Sequence, residues 1–111
     1  METSILNTVK RMLGLDVNDD TFDLDVTVLI NSAFMSLQQI GVGPSEGFSI
    51  SSAEDSWLDF ASEDELYQGV PEYIYLKVRT VFDPPTSSSV ADAMKKSIDE
   101  LEWRLLVQTG K

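Results

Sequence analysis

Two groups of side chains in this 111-residue chain have the types and spacing from which chemistry can be built. The first is Asp16-x-Asn18-x-Asp20, the spacing of the first oxygen ligands of a calcium-binding loop. The pattern stops there. Thr21 stands where the loop's sharp turn needs Gly, and Thr27 where a bidentate Glu is required. The run therefore reads as an acidic turn in which Asp19 or Asp20 accepts the free amides of a following helix. The second group is Glu54, Asp55, Asp59, Glu63, Asp64 and Glu65 around Trp57. Paired carboxylates do acid–base work when burial raises the pKa of one of them. These crowd among polar residues, which is the pattern of a solvated face.

The remaining inventory opposes catalysis. The chain has no His and no Cys. That removes the usual general base near neutral pH, the thiol nucleophile, the thiolate metal site and the disulfide scaffold. There is no Gly-rich phosphate loop, no nucleophile motif and no metal-ligand spacing, so the expectation is no enzyme, no cofactor and no metal. Eight Lys and Arg against nineteen Asp and Glu give a net charge of −11. Such a chain does not wrap a phosphate backbone or lie on an anionic membrane, and its basic residues form no stripe. The start Met1-Glu2-Thr3-Ser4 is acidic and polar, unlike a signal peptide. Aliphatic runs such as Val28-Leu29-Ile30 fall far short of the roughly 20 apolar residues that span a bilayer. The chain is expected to be soluble and made inside the cell.

The elements that must position these residues read as helices. Ile5, Leu6, Val9, Met12 and Leu13 recur at helical spacing, with Thr3 or Ser4 as cap and Gly14 as stop. A second helix carries the stripe Phe22, Val26, Leu29, Ile30, Ala33, Phe34, Leu37 and Ile40, ended by Gly41. Gly41–Ser51 is a turn-rich loop in which Phe48-Ser49-Ile50-Ser51 alternates like a very short strand. Ser52 with Asp55, or Ser62 with Glu65, has the spacing to open short helices after it. Val70-Pro71 begins a strong helix, with Val70, Ile74, Val78 and Val81 on one face, that ends at Asp83 before Pro84-Pro85. Ser88 or Ser89 caps a last helix running to about Val107. The fold class is all-α: a small single-domain bundle of four to five helices over residues 1–111, with one long irregular loop. Phe22, Leu29, Phe34, Leu37, Ile74, Val78, Val81, Met94, Ile98 and Leu101 are the expected core.

Apolar surface exceeds what one core needs. On the last helix Val90, Met94, Ile98, Leu101 and Leu105 form the core stripe, while Trp103 lies nearly opposite beside Leu106 and Val107. On the second helix Leu24, Val28 and Met35 line up with Asn31 behind the main stripe. The Val70–Phe82 helix is apolar nearly all round, with Tyr73, Leu76 and Thr80 away from Ile74. Helices apolar on two sides are central to their domain or shared with a neighbour, which points to self-association or a permanent partner. Around Trp103 the pairs Asp92–Lys96, Lys95–Asp99, Lys96–Glu100 and Glu100–Arg104 make a salt-laced flank.

The order of segments also carries a resemblance. An acidic turn and a long helix of the type Phe22-Asp23-Leu24-Asp25-Val26 to Ile40-Gly41 are followed by Trp57-Leu58-Asp59-Phe60. Then come Val70-Pro71-Glu72-Tyr73-Ile74-Tyr75-Leu76-Lys77-Val78-Arg79, Phe82-Asp83-Pro84-Pro85-Thr86 and Glu100-Leu101-Glu102-Trp103-Arg104-Leu105. This resembles the small head–tail connector (adaptor) proteins of tailed bacteriophages and prophages, most specifically from Tyr73 to Leu105.

The resemblance implies a structural adaptor without catalysis, made in the host bacterial cytoplasm and placed in the virion neck. Its implied partners are the portal protein, copies of itself in a ring of about a dozen, and the next neck or tail-completion protein. DNA would pass through the ring without specific binding, along an acidic wall that does not hold phosphate. Trp103, Arg104, Leu106 and Val107 are the expected portal or subunit interface, the alternative being that Trp103 folds back onto the first helix near Val9 and Leu13. Leu24, Val28 and Met35 are the expected second-face oligomer contacts. Phe48 and Ile50 are expected on a mobile loop that orders against a neighbour. A different class, a small acidic DNA mimic or regulatory inhibitor, is motivated by the net charge alone.

Overall fold

A computed structural model describes residues 3–61 and 69–108. The described residues form α1 (Ile5–Met12), α2 (Asp23–Gln39), α3 (Trp57–Phe60), α4 (Val70–Phe82) and α5 (Ser88–Gln108). They contain no strand, so the alternation at Phe48–Ser51 does not become one; a lone antiparallel bridge joins Ser4 to Ser56. The fold is all-α, as the apolar spacing predicts.

The helix ends follow their local sequence. Ser4 Oγ accepts the Asn7 N–H at 3.2 Å to open α1, and Gly14 closes it at φ 82°. Gly41, at φ 86°, turns the chain out of α2. The start of α2 differs from expectation: Phe22 occupies the cap position without a side-chain bond, and Asp23 and Asp25 in the first turn face the positive end of the helix. Asp19 is used one turn earlier, accepting from the Thr21 N–H and hydroxyl. The opening of α3 also differs. The Asp59 carboxylate accepts the Ser56 N–H at 2.8 Å, while Asp55 holds the amides of Ser51 and Ser52 in the preceding turn. The Ser62–Glu65 pair and Glu63 and Asp64 lie outside the described residues.

The centre of the molecule is α4, which packs against α1, α2 and α5. Val70, Tyr73, Ile74, Leu76 and Val78 are all buried, so this helix is apolar on both sides because it is surrounded. Phe34, Leu37 and Met94 are buried as expected, and Leu29, Ile98 and Leu101 are half-buried. Phe22 and Val81 are not core: they are 42% and 66% exposed. Phe22 precedes its helix and stacks edge-on against Phe82 at 5.4 Å, covering the outside of the α2–α4 contact. Val81 is bare because the first half of α5, including the exposed Val90, stands away from α4 and touches inward chiefly through Met94.

The Gly-rich loop is a correction. It is stapled to α2 by two amides: Asn31 accepts the Ile50 N–H at 2.7 Å and donates to the Ile50 carbonyl at 3.0 Å, and Gln38 donates to the Ser45 carbonyl at 3.0 Å. Ile50 is 3% exposed. Phe48 packs edge-on against Phe34 at 4.9 Å and Phe60 at 5.4 Å. The loop's apolar side chains thus finish the subunit's own core instead of waiting for a neighbour. Gly43 makes the approach possible: at φ 91°, a Cβ there would sit 2.5 Å from Phe60 Cε1.

Candidate functional site

The Asp16–Asp20 turn is organised around an ammonium. Lys10, on α1, is 1% exposed, and its Nζ donates to the carbonyls of Val17 at 3.1 Å and Asp19 at 2.8 Å. Asp23 Oδ1 lies 2.7 Å from the same nitrogen, as an ion pair. Asp16 accepts the Asn18 N–H and Asp19 the Thr21 N–H, so these two carboxylates fold onto the turn's own amides. Those hydrogen bonds from Thr21, side chain first and then backbone, hold the Asp19 carboxyl below its usual range. Sequence reasoning missed Lys10. The signal was present: it sits one position after Val9 on the apolar side of α1, with an acidic turn just beyond.

Around Trp57, Asp55 and Asp59 accept backbone amides of their own turns, while Glu54 is exposed. The backbone amides of Ser51 and then Ser52 hold Asp55 below the ordinary carboxylate range. Trp57 itself is buried, donating from Nε1 to Thr8 Oγ1 at 3.2 Å, so it closes α1 against the middle of the chain. No cluster of three or more metal-ligating side chains forms among the described residues.

The interaction surfaces read from the sequence are placed as follows. Trp103 is 65% and Val107 54% exposed near the end of α5, on the far side of that helix from Leu105, which is fully buried. Trp103 does not fold back onto α1; Trp57 fills that role. Leu106 is half-buried, and Arg104 is exposed and paired with Glu100 at 2.6 Å. On α2, Leu24, Val28 and Met35 are 76%, 57% and 59% exposed, while Asn31 in the same stripe is engaged by Ile50.

Between these faces an open groove of about 650 Å³ separates α5 from α2 and α4, floored by Leu29, Ala33, Val81 and Ile98. Beneath it Tyr73, fully buried, donates to Glu102 at 2.6 Å and bolts α4 to α5. Burial, reinforced by that bond to Glu102, pushes the phenol well above its ordinary value, so it remains a donor. No described helix is long and apolar enough to cross a membrane.

The family model described as phage connector protein matches residues 5–111 of the chain. No curated protein and no solved structure matches it.

Proposed function

From the premise that this chain belongs to the phage connector protein family, a structural role, we propose that it is the head–tail adaptor of a tailed phage or prophage. In this reading copies form a ring beneath the portal in the virion neck, extend the DNA tunnel, and present a platform to the next neck protein. The net charge of −11 suits a wall along which DNA slides, because a basic wall would hold phosphate by counterion release. A DNA mimic is disfavoured, since Asp16, Asp19, Asp55 and Asp59 accept amides of their own turns rather than standing free along one face.

The observation that carries the assembly reading is the bare indole at the end of α5. A Trp 65% exposed leaves a large apolar area in water, at roughly 25 cal/mol per Å², and Trp and Arg are enriched among interface anchors. Trp103, Arg104, Leu106 and Val107 form the surface for the portal or an adjacent subunit, and Leu24, Val28 and Met35 serve contacts between copies. The test is Trp103→Ala combined with Val107→Ser, mixed with the portal protein of the same genome. The expected variant keeps wild-type helical content and thermal midpoint and no longer assembles. A variant that assembles normally overturns the reading.

A further inference from the structure

We infer that the first half of α5, residues 88–97, is a strap that swings on the anchored second half and closes the groove against α2. The motion belongs to the single subunit and stands independently of the adaptor reading.

α5 is fixed chiefly at its far end. Leu105 is fully buried, Glu102 accepts the Tyr73 hydroxyl at 2.6 Å, and Leu101 Cδ2 lies 3.0 Å from where a Cβ on Gly69 would stand. Over residues 88–97 every residue except Met94 is exposed. Met94 itself stands outside the main apolar cluster, and its flexible side chain can follow a shift. So short a helical stretch does not persist alone in water, and the anchored half carries it as a lever. The chain enters the lever through residues 83–87, which are exposed apart from the half-buried Pro85. A segment with so few buried contacts lies at the low-stability end of a fold, from which lids and straps are drawn.

The groove sets the direction of the swing. On its α5 wall Asp92, Asp99 and Glu102 outnumber Lys95, its α4 floor carries Lys77, and its α2 wall of Leu29, Ser32 and Ala33 is uncharged. Opposite signs therefore face each other across the gap, yet among the described residues no ion pair spans it. Closure brings Asp92 and Asp99 toward Lys77 and covers Val81, which is 66% exposed, and the half-buried Leu29. Ser32, Ala33 and Ala91 are small and line the facing walls, which leaves the helices room to approach. From Ser88 to Glu102 the lever is about 21 Å long at ~1.5 Å per residue, so a swing of roughly 15° moves its tip about 5 Å.

The chain contains no cysteine, so introduced thiols report closure without background. Ser32→Cys and Ala91→Cys stand on facing walls, and both replace exposed side chains. The double variant is oxidised at micromolar concentration, where bonds between molecules are rare. The control pairs Ala91→Cys with Gln39→Cys, also exposed and about two turns further along α2. Both reduced variants are first checked for wild-type circular dichroism. The Ser32 pair should form an intrachain disulfide at least about tenfold faster than the control, with helical content unchanged. Nitroxide labels at the same two positions should show two separations, open and closed. Equal rates for the two pairs, or a disulfide that costs helix, would mean that the segment melts instead of swinging and would overturn the inference. So would a single long separation with no disulfide, the mark of a groove held rigidly open.

Discussion

Replacing Lys10 by Met tests whether a buried ammonium holds the start of α2 in place. The substitution keeps an unbranched stem and removes three interactions at once: the Val17 carbonyl, the Asp19 carbonyl and the charge facing Asp23. A buried acceptor left without a donor costs about 1–3 kcal/mol. Water offsets part of this, because Asp16, Asn18, Asp19 and Asp20 around the carbonyls are exposed. The Asp23 side chain is 34% exposed and can rehydrate, so its share is small. The expected loss is about 2–3 kcal/mol, a sizeable part of the 5–15 kcal/mol typical of a domain. Urea unfolding followed by far-ultraviolet circular dichroism should show a lower midpoint at unchanged slope, by about 1–2 M. A loss under about 1 kcal/mol would mean that the carbonyls hydrate as well as they bond, and the cradle would not be what fixes the turn. Asp23→Asn separates the contributions: it leaves Lys10 both carbonyls and should cost less than Lys10→Met. Equal costs would assign the effect to the ion pair.

Two further outcomes test the loops. Gly43→Ala meets both a left-handed backbone and the Phe60 ring, and should cost about 2–4 kcal/mol in thermal unfolding, whereas Gly14→Ala, with φ 82° but open space, should cost about 1 kcal/mol; equal losses would remove the ring from the explanation. Asp55 ionises more readily in the fold than its ordinary 3.8, so its contribution is full above that value and fades as pH falls through the lower folded value. The stability difference between wild type and Asp55→Asn should therefore close on acidification below about pH 4, and a difference constant down to pH 2 would refute the capping role.

Helix periodicity made α2 legible because it buries one continuous stripe, and Gly14, Gly41 and Pro71 marked the end of α1, the end of α2 and the start of α4, whereas α4 is legible as apolar nearly all round and α5 buries only Met94 and Leu105 of its stripe. The exposed faces of α2 and α5 were legible for the same reason, since a residue opposite a core stripe points outward. Periodicity failed where packing is decided by distant chain. Phe48 and Ile50 look spare in a Gly-rich segment until Asn31, nineteen residues away from Ile50, clamps the backbone and turns both inward. Val81 has the right phase for the core, but α5 diverges from α4 there, and no one-helix pattern encodes where a neighbour ends. Lys10 lies on the apolar side of α1, and only the fold shows that the acidic turn folds back to enclose it.

The bridge between Ser4 and Ser56 bears on how the chain is made. Eight-residue helices do not persist alone in water, and α1 is held by partners emerging much later: Asp55 accepts from the Ile5 N–H, Trp57 donates to the Thr3 carbonyl, and the Trp57 indole caps Thr8. Of the two long helices it packs against, α2 and α4, the second is later still. During synthesis the first fifty residues therefore leave the ribosome without a finished hydrophobic surface to fold upon, and α2 emerges with its inner stripe uncovered. Folding waits for the arrival of α4, which closes on α1 and α2 together. A nascent chain stalled before Val70 should be digested by protease at the rate of an unstructured peptide, and one extended past Phe82 and clear of the exit tunnel should resist.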